Sequence, residues 1–134
     1  MCAALAGAGV VATLLDGCAS IPMVKATVQN GKVNAEESLF GKSHYILIRP
    51  KNFTNDILVV KTIGPNSHDF YHSLLMQCTH QQQPLNVNGK IIHCPAHGSE
   101  FDLDGNVLKE PALAPLKTYN TSWQDGIITV DLNS

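Results

Sequence analysis

Residues 78–80 read Cys-Thr-His and residues 94–97 read Cys-Pro-Ala-His, with thirteen residues between His80 and Cys94. Thiolate and imidazole are both metal ligands, so this set can hold a centre with sulfur on one side and nitrogen on the other. Cys78 and Cys94 could instead pair as a disulfide, but a disulfide has no use for a His two or three residues after each Cys. Two Cys and two His also make a structural zinc set. Zinc fingers usually run Cys-x₂₋₄-Cys before His-x₃₋₅-His, whereas here the two types alternate. Alternation suits a binuclear cluster in which each loop sends one ligand to each iron.

Both pairs follow apolar residues, Leu74-Leu75-Met76 before Cys78 and Ile91-Ile92 before Cys94. Stiff strand ends can hold tight ligand loops in register. From Met23 onward the chain reads as short strands separated by turn residues. Met23–Val28, Lys32–Val33, Tyr45–Arg49, Ile57–Ile63, Asp69–Met76, Lys90–His93, Asn106–Leu108, Leu116–Ser122 and Ile127–Leu132 are the strand candidates. Asn30-Gly31 gives a hairpin signal before Lys32-Val33, Asn88-Gly89 and Asp104-Gly105 are further turns, and a final hairpin is expected across Gln124-Asp125-Gly126. No segment after residue 20 shows a helical period, a repeat or a linker. The expected fold is an all-β antiparallel sandwich of residues 21–134, with a small cluster-binding subdomain of two ligand loops at about 76–115.

At 134 residues the chain suffices for one domain with one core. Its apolar content of 44% excludes disorder by composition. Only 15% is charged and the formal net charge is −2, so there is no basic footprint for nucleic acid. Of the four cysteines, Cys2 and Cys18 lie in residues 1–20, which leaves too few elsewhere for a disulfide-stapled scaffold.

Residues 3–15 are small and apolar, too short for a confident membrane span but suited to the apolar part of an export signal. Leu15-Asp16-Gly17-Cys18 resembles a bacterial lipoprotein box, which makes Cys18 a lipidation candidate and residues 1–20 a signal-like segment. Two features depart from that pattern. Asp16 stands where a small residue is usual, and no Lys or Arg precedes the apolar run.

The alternating pattern resembles the Rieske iron–sulfur family, whose motif is Cys-x-His, a spacer, then Cys-x-x-His. Cys78, His80, Cys94 and His97 match it. So does the extension Cys94-Pro95-Ala96-His97-Gly98-Ser99-Glu100-Phe101-Asp102, with Gly105 in the turn beyond. Glu110-Pro111-Ala112-Leu113-Ala114-Pro115 resembles the proline-containing loop that covers the cluster. The resemblance implies one 2Fe–2S cluster per chain, with Cys78 and Cys94 on one iron and His80 and His97 on the other. Two neutral imidazoles in place of two thiolates raise the potential, to about −150 to +300 mV for such centres. The resemblance also implies that His80 and His97 titrate with the redox state.

High-potential members carry a disulfide between the ligand loops, at the positions of Gln83 and Ala96 here; both cysteines are absent. Ser99 stands where respiratory members place a hydroxyl that donates to a bridging sulfide. Phe101 stands where they place a Tyr that donates to a cysteine sulfur. One potential-raising donor is thus expected to be kept and one missing, for an intermediate potential. Gly98 after His97 permits close backbone approach or an unusual dihedral.

The expected function is one-electron transfer in a respiratory or oxidase chain, in the cell envelope. The partner would be a cytochrome, a quinol-linked complex or an oxidoreductase subunit, docking at the His80 and His97 edge. The chain is not expected to be an enzyme by itself. A cytoplasmic ferredoxin subunit serving an oxygenase or reductase is the alternative within the family, and a structural zinc module the alternative outside it. His93 is expected to point away from the cluster. His44, His68 and His72 are assigned ordinary structural or exposed roles. Tyr119 and Trp123 are expected in the core, and Glu100 and Asp102 have no visible nucleophile or pocket to serve.

Overall fold

A computed structural model describes residues 21–67 and 69–134, so Cys2, Cys18 and the apolar run 3–15 lie outside the described residues, as does His68. Eleven strands among the described residues form two sheets. The larger is built from β1 (Met23–Ala26), β2 (Lys32–Glu36), β3 (Tyr45–Pro50), β4 (Ile57–Ile63), β5 (Asp69–Leu75), β10 (Thr118–Gln124) and β11 (Ile127–Asp131), in the order β1-β3-β4-β5-β10-β11-β2. The smaller holds β6 (Asn86–Asn88), β7 (Ile91–His93), β8 (Glu100–Phe101) and β9 (Val107–Lys109) in sequence order. A 3-10 turn, Glu37–Phe40, follows β2 and buries Phe40, and a second, Pro65–Ser67, lies between β4 and β5.

The strand candidates are found, and all pairings but one are antiparallel. The exception is β1, which runs parallel to β3 with Met23 opposite Leu47. Asn30 and Gly31 make the expected tight turn, with φ of 54° and 75°, closing a bridge between Gln29 and Lys32. The strands it joins do not continue as a hairpin. β2 pairs with β11, while β1 pairs with β3, so the two occupy opposite edges of the large sheet. Turn chemistry is local, but strand partners are chosen by which apolar faces need cover. The two edges also touch, curling the sheet toward closure.

Curling creates two cores. Val33, Ile46, Ile48, Ile57, Val59, Tyr71, Tyr119, Ile128 and Val130 fill the inside of the large sheet. Leu58, Val60 and Leu74 leave its other face and meet Met76, Leu85, Ile92, Phe101, Ala112 and Leu116 beneath the small sheet. The run Ile57-Leu58-Val59-Val60 is therefore apolar throughout because alternate residues serve different cores. Cys78 and Cys94 belong to the second core. Of the two aromatic residues expected in the interior, Tyr119 is buried, but Trp123 is 52% exposed. Trp123 pairs with buried Ile128 near the end of β10, where the first core gives out.

Two polar contacts tie the small sheet to the large one. Tyr45 Oη donates to Gly89 O at 2.9 Å. His72 Nε2 lies 2.7 Å from Leu103 O, so this histidine has a structural partner in the β8–β9 turn. Asp102 closes that turn by accepting the backbone N–H groups of Asp104 and Asn106, each at 2.9 Å. It is a turn former rather than half of an acid pair.

Candidate metal centre

β5 delivers Met76 into the first ligand loop and β7 delivers Cys94 into the second. The two loops are built alike. Cys78 N–H donates to Gln83 O at 2.8 Å, and Cys78 O accepts Gln82 N–H at 2.7 Å. In the second loop Cys94 N–H donates to Ser99 O at 2.8 Å, and Cys94 O accepts Gly98 N–H at 2.9 Å. In each, the residue four after the Cys is left-handed: Gln82 has φ of 58° and Gly98 has φ of 87°. Gly98 meets this need without a Cβ penalty, as its place after His97 suggests. Gln82 meets it at a cost, and no residue type in the sequence signals that.

The loops place the two thiols in one buried cluster and the two imidazoles side by side at the surface. Cys78 and Cys94 are each 1% exposed, and both are free thiols rather than a disulfide. His80 and His97 lie on the surface, edge to face, with ring centroids 5.1 Å apart. Among the described residues, no three His, Cys, Asp or Glu side chains surround a single ion position. The donors fall into an inner sulfur pair and an outer nitrogen pair, a layout that fits a two-metal group with soft ligands inside and imidazoles outside.

The segment Pro111–Pro115 is fastened to both loops. Thr79 Oγ1 donates to Ala114 O at 2.7 Å, and Ser99 Oγ accepts Ala112 N–H at 3.0 Å. Ser99 is fully buried, and its hydroxyl proton is not used by that bond. The Thr79 contact carried no sequence signal, because it depends on where the covering loop folds. Phe101 is fully buried in the second core and brings no donor. Pro111 is partly buried, whereas Pro115 is exposed. Gln83 and Ala96 line one open cleft of about 390 Å³ with Pro84, Asn86 and Pro95. His93 is not among the gathered donors; its Nδ1 lies 3.6 Å from Glu100 Oε2.

Comparison with known proteins identifies the family. Residues 29–120 match the model of the Rieske [2Fe-2S] domain. A stretch of 42 residues is 38% identical to the cytochrome b6-f complex iron-sulfur subunit of Chlorobaculum tepidum. That stretch covers 31% of this chain but only 23% of that relative. Among solved structures, the plasma membrane Rieske protein of the cyanobacterium Synechocystis superposes with a TM-score of 0.57 and 26% identity, over 71% of this chain and 93% of that one. A chain from the complex of reduced oxygenase and oxidized ferredoxin in carbazole 1,9a-dioxygenase also gives a TM-score of 0.57. Its 17% identity, over 78% of this chain and 95% of that one, speaks to the fold alone. With the family model spanning most of the described residues, the chain belongs to the Rieske [2Fe-2S] domain family, whose cofactor is a 2Fe–2S cluster and whose role is electron transfer rather than catalysis.

Proposed function

We propose that Cys78 and Cys94 hold one iron of the cluster and His80 and His97 the other, and that the protein carries single electrons for a respiratory or oxidase chain in the cell envelope. The observation that carries this reading is the sorting of the donors by depth, with buried thiols behind two exposed imidazoles 5.1 Å apart. When bound, a 2Fe–2S cluster supplies a one-electron couple with no bond made or broken. The chain's own contribution is to bury the thiols, fix both loops through their shared hydrogen bonds and leave the imidazole edge open to a partner. Residues 76–115 form the cluster-binding part, and the remainder of 21–134 is the frame that holds it.

The envelope setting is supported by the apolar run 3–15, by Cys18 as a lipidation candidate and by the plasma membrane relative. No described helix is long and apolar enough to cross a membrane. A partner such as a cytochrome, a quinol-linked complex or another oxidoreductase subunit would dock at His80 and His97.

The test is EPR of dithionite-reduced protein together with iron and sulfide analysis. Two irons, two sulfides and a rhombic signal with a low mean g are expected. A colourless protein with one zinc would end the electron-transfer reading. Reduction by quinol or a cytochrome, compared with reduction by a ferredoxin reductase, then separates an envelope chain from an oxygenase system.

A further inference from the structure

The two ligand loops share their internal hydrogen bonds but not their foundations. The second stands on a sheet. His93, just before Cys94, faces Glu100, just after Ser99, and the ladder continues with Ile92 opposite Phe101. At the same place in the first loop, Gln77 faces Pro84 in an isolated bridge that belongs to no strand. β5 does not reach that bridge. Its last residue, Leu75, pairs with Ile57, the first of β4. Beyond that pair, Met76 N–H donates to Asp56 O at 2.9 Å, and Gln77 N–H folds back to Leu75 O at 2.8 Å. The backbone thus turns out of the large sheet just before the base of the loop.

Asn55 takes over where the ladder stops. It lies in the connection between β3 and β4 and is partly buried. Gln77 Nε2 donates to Asn55 Oδ1 at 3.2 Å, and Asn55 Nδ2 donates to Met76 O at 3.4 Å, the weaker arm. A side-chain amide carries the same donor and acceptor types as a peptide group. It can therefore continue the pairing after the backbone has turned away. The residue before it, Thr54, is exposed.

We propose that Asn55 is the positioning residue of the first ligand loop. It holds Gln77, and through Gln77 the neighbouring Cys78, in register with Cys94 on the second loop. Cys78 is buried and its N–H is tied to Gln83 O within the loop. Drift at the base of the loop therefore carries the thiol with it. A metal-binding set needs its donors held to within about 0.5 Å, by residues that are themselves locked in place. The inference rests on the reading of Cys78 and Cys94 as ligands of one iron and deepens it, by adding a residue that acts only through another.

The test compares Asn55→Ala, Gln77→Ala and their double variant with the parent, and uses Thr54→Ala as a control at an exposed neighbour. Hydrogen exchange at the amides of residues 77–83 reads the loop directly. Asn55→Ala, which removes both arms, is expected to speed it about 10-fold, and Gln77→Ala, which removes one, about 3-fold. The double variant should match Asn55→Ala, because the two side chains form one contact. In the cluster-loaded protein, iron release to a chelator should quicken by a similar factor in Asn55→Ala. The EPR lines of its reduced form should broaden, while Thr54→Ala matches the parent. Unchanged exchange in Asn55→Ala, or fully additive effects in the double variant, overturns the proposal. Faster exchange with parental EPR lines and iron release also overturns it, because Asn55 would then serve the fold alone. Should Asn55→Ala fail to fold, Gln77→Ala decides: parental exchange and EPR lines there sink the proposal. A parent with no 2Fe–2S signal would sink the ligand reading instead, and faster exchange in Asn55→Ala would still support the anchor.

Discussion

The buried hydroxyl oxygen of Ser99 accepts the backbone N–H of Ala112 at 3.0 Å. One side chain thereby joins the second ligand loop to the loop that covers it, and its hydroxyl proton remains free for a sulfur. Ser99→Ala removes that donor. A bond worth about 1–2 kcal/mol more to the reduced cluster corresponds to about 40–90 mV in a one-electron couple. The potential of Ser99→Ala is therefore expected to fall by that order in an EPR-monitored redox titration. An unchanged potential would show that the hydroxyl serves Ala112 only.

Ligation and mere proximity are separable at two neighbouring histidines. His97 lies in the ligand loop against His80, whereas His93 faces Glu100. His97→Ala is expected to leave the protein without stoichiometric iron and sulfide. His93→Ala is expected to retain the cluster and its EPR signal. Full iron in purified His97→Ala would sink the ligand assignment.

Two glycines with the same backbone sign have different surroundings. A Cβ at Gly105 would sit 3.0 Å from Leu74 Cδ2 and 3.4 Å from Leu116 Cβ, with φ at +88°. At Gly98, φ is +87° but nothing lies within 4 Å. Gly98→Ala is expected to cost about 1 kcal/mol from backbone strain alone. Gly105→Ala should cost about 2–4 kcal/mol, because strain and overpacking add. Gln82→Gly, at the matching left-handed position of the first loop, should be neutral or stabilising by up to ~1 kcal/mol. Denaturant midpoints of the three variants rank these effects, and equal losses at the two glycines would contradict the packing argument.

Tyr71 donates to Glu37 Oε2 at 2.7 Å from a buried position. Burial first, and then the bond to Glu37, raise the Tyr71 pKa above its ordinary value; burial also raises Tyr119. The folded state therefore holds these protons more tightly than the unfolded chain. Their stabilisation is complete below the unfolded tyrosine pKa of about 10 and drains away as pH rises beyond it. Tyr71→Phe is expected to lose about 1 kcal/mol at pH 7. It should also show a shallower decline in stability at higher pH than the parent. Parallel declines in urea titrations would rule out Tyr71 as the source.

The rim around the two imidazoles carries no formal charge. Residues 77–84, 94–99 and 111–116 contain no Asp, Glu, Lys or Arg, and Leu113 among them is 81% exposed. Electrostatic steering is screened over about 10 Å at 0.1 M salt, so a charged interface would slow with added salt. Electron transfer to the natural partner is expected to vary little with ionic strength. Leu113→Asp is expected to slow it, and a steep salt dependence in stopped-flow traces would reject an uncharged interface.

The chemistry was legible because it is carried by short spacings. Cys78-x-His80 and Cys94-x-x-His97 name the candidate donors, and Gly98 announces a left-handed step wherever the chain goes. Most strand positions were legible for the same reason, since alternation and turn residues are local, but β6 and β8, three and two residues long, are too short to carry a pattern. Partners were not. Asn30-Gly31 specifies a turn but not that β1 will lie beside β3 and β2 beside β11. Trp123 reads as core by type, yet the core ends before reaching it.

The amino-acid order by itself determined the candidate ligand types, their alternation and the all-β character. Each follows from residues within a few positions of one another. Tertiary structure decided which candidate donors are buried and that Ser99 and Thr79 clasp the covering loop. Those contacts join residues 13 to 35 positions apart or more. They form only when the large sheet curls and leaves one face for the small sheet to cover, because burying both apolar faces is what offsets the entropy of ordering the chain.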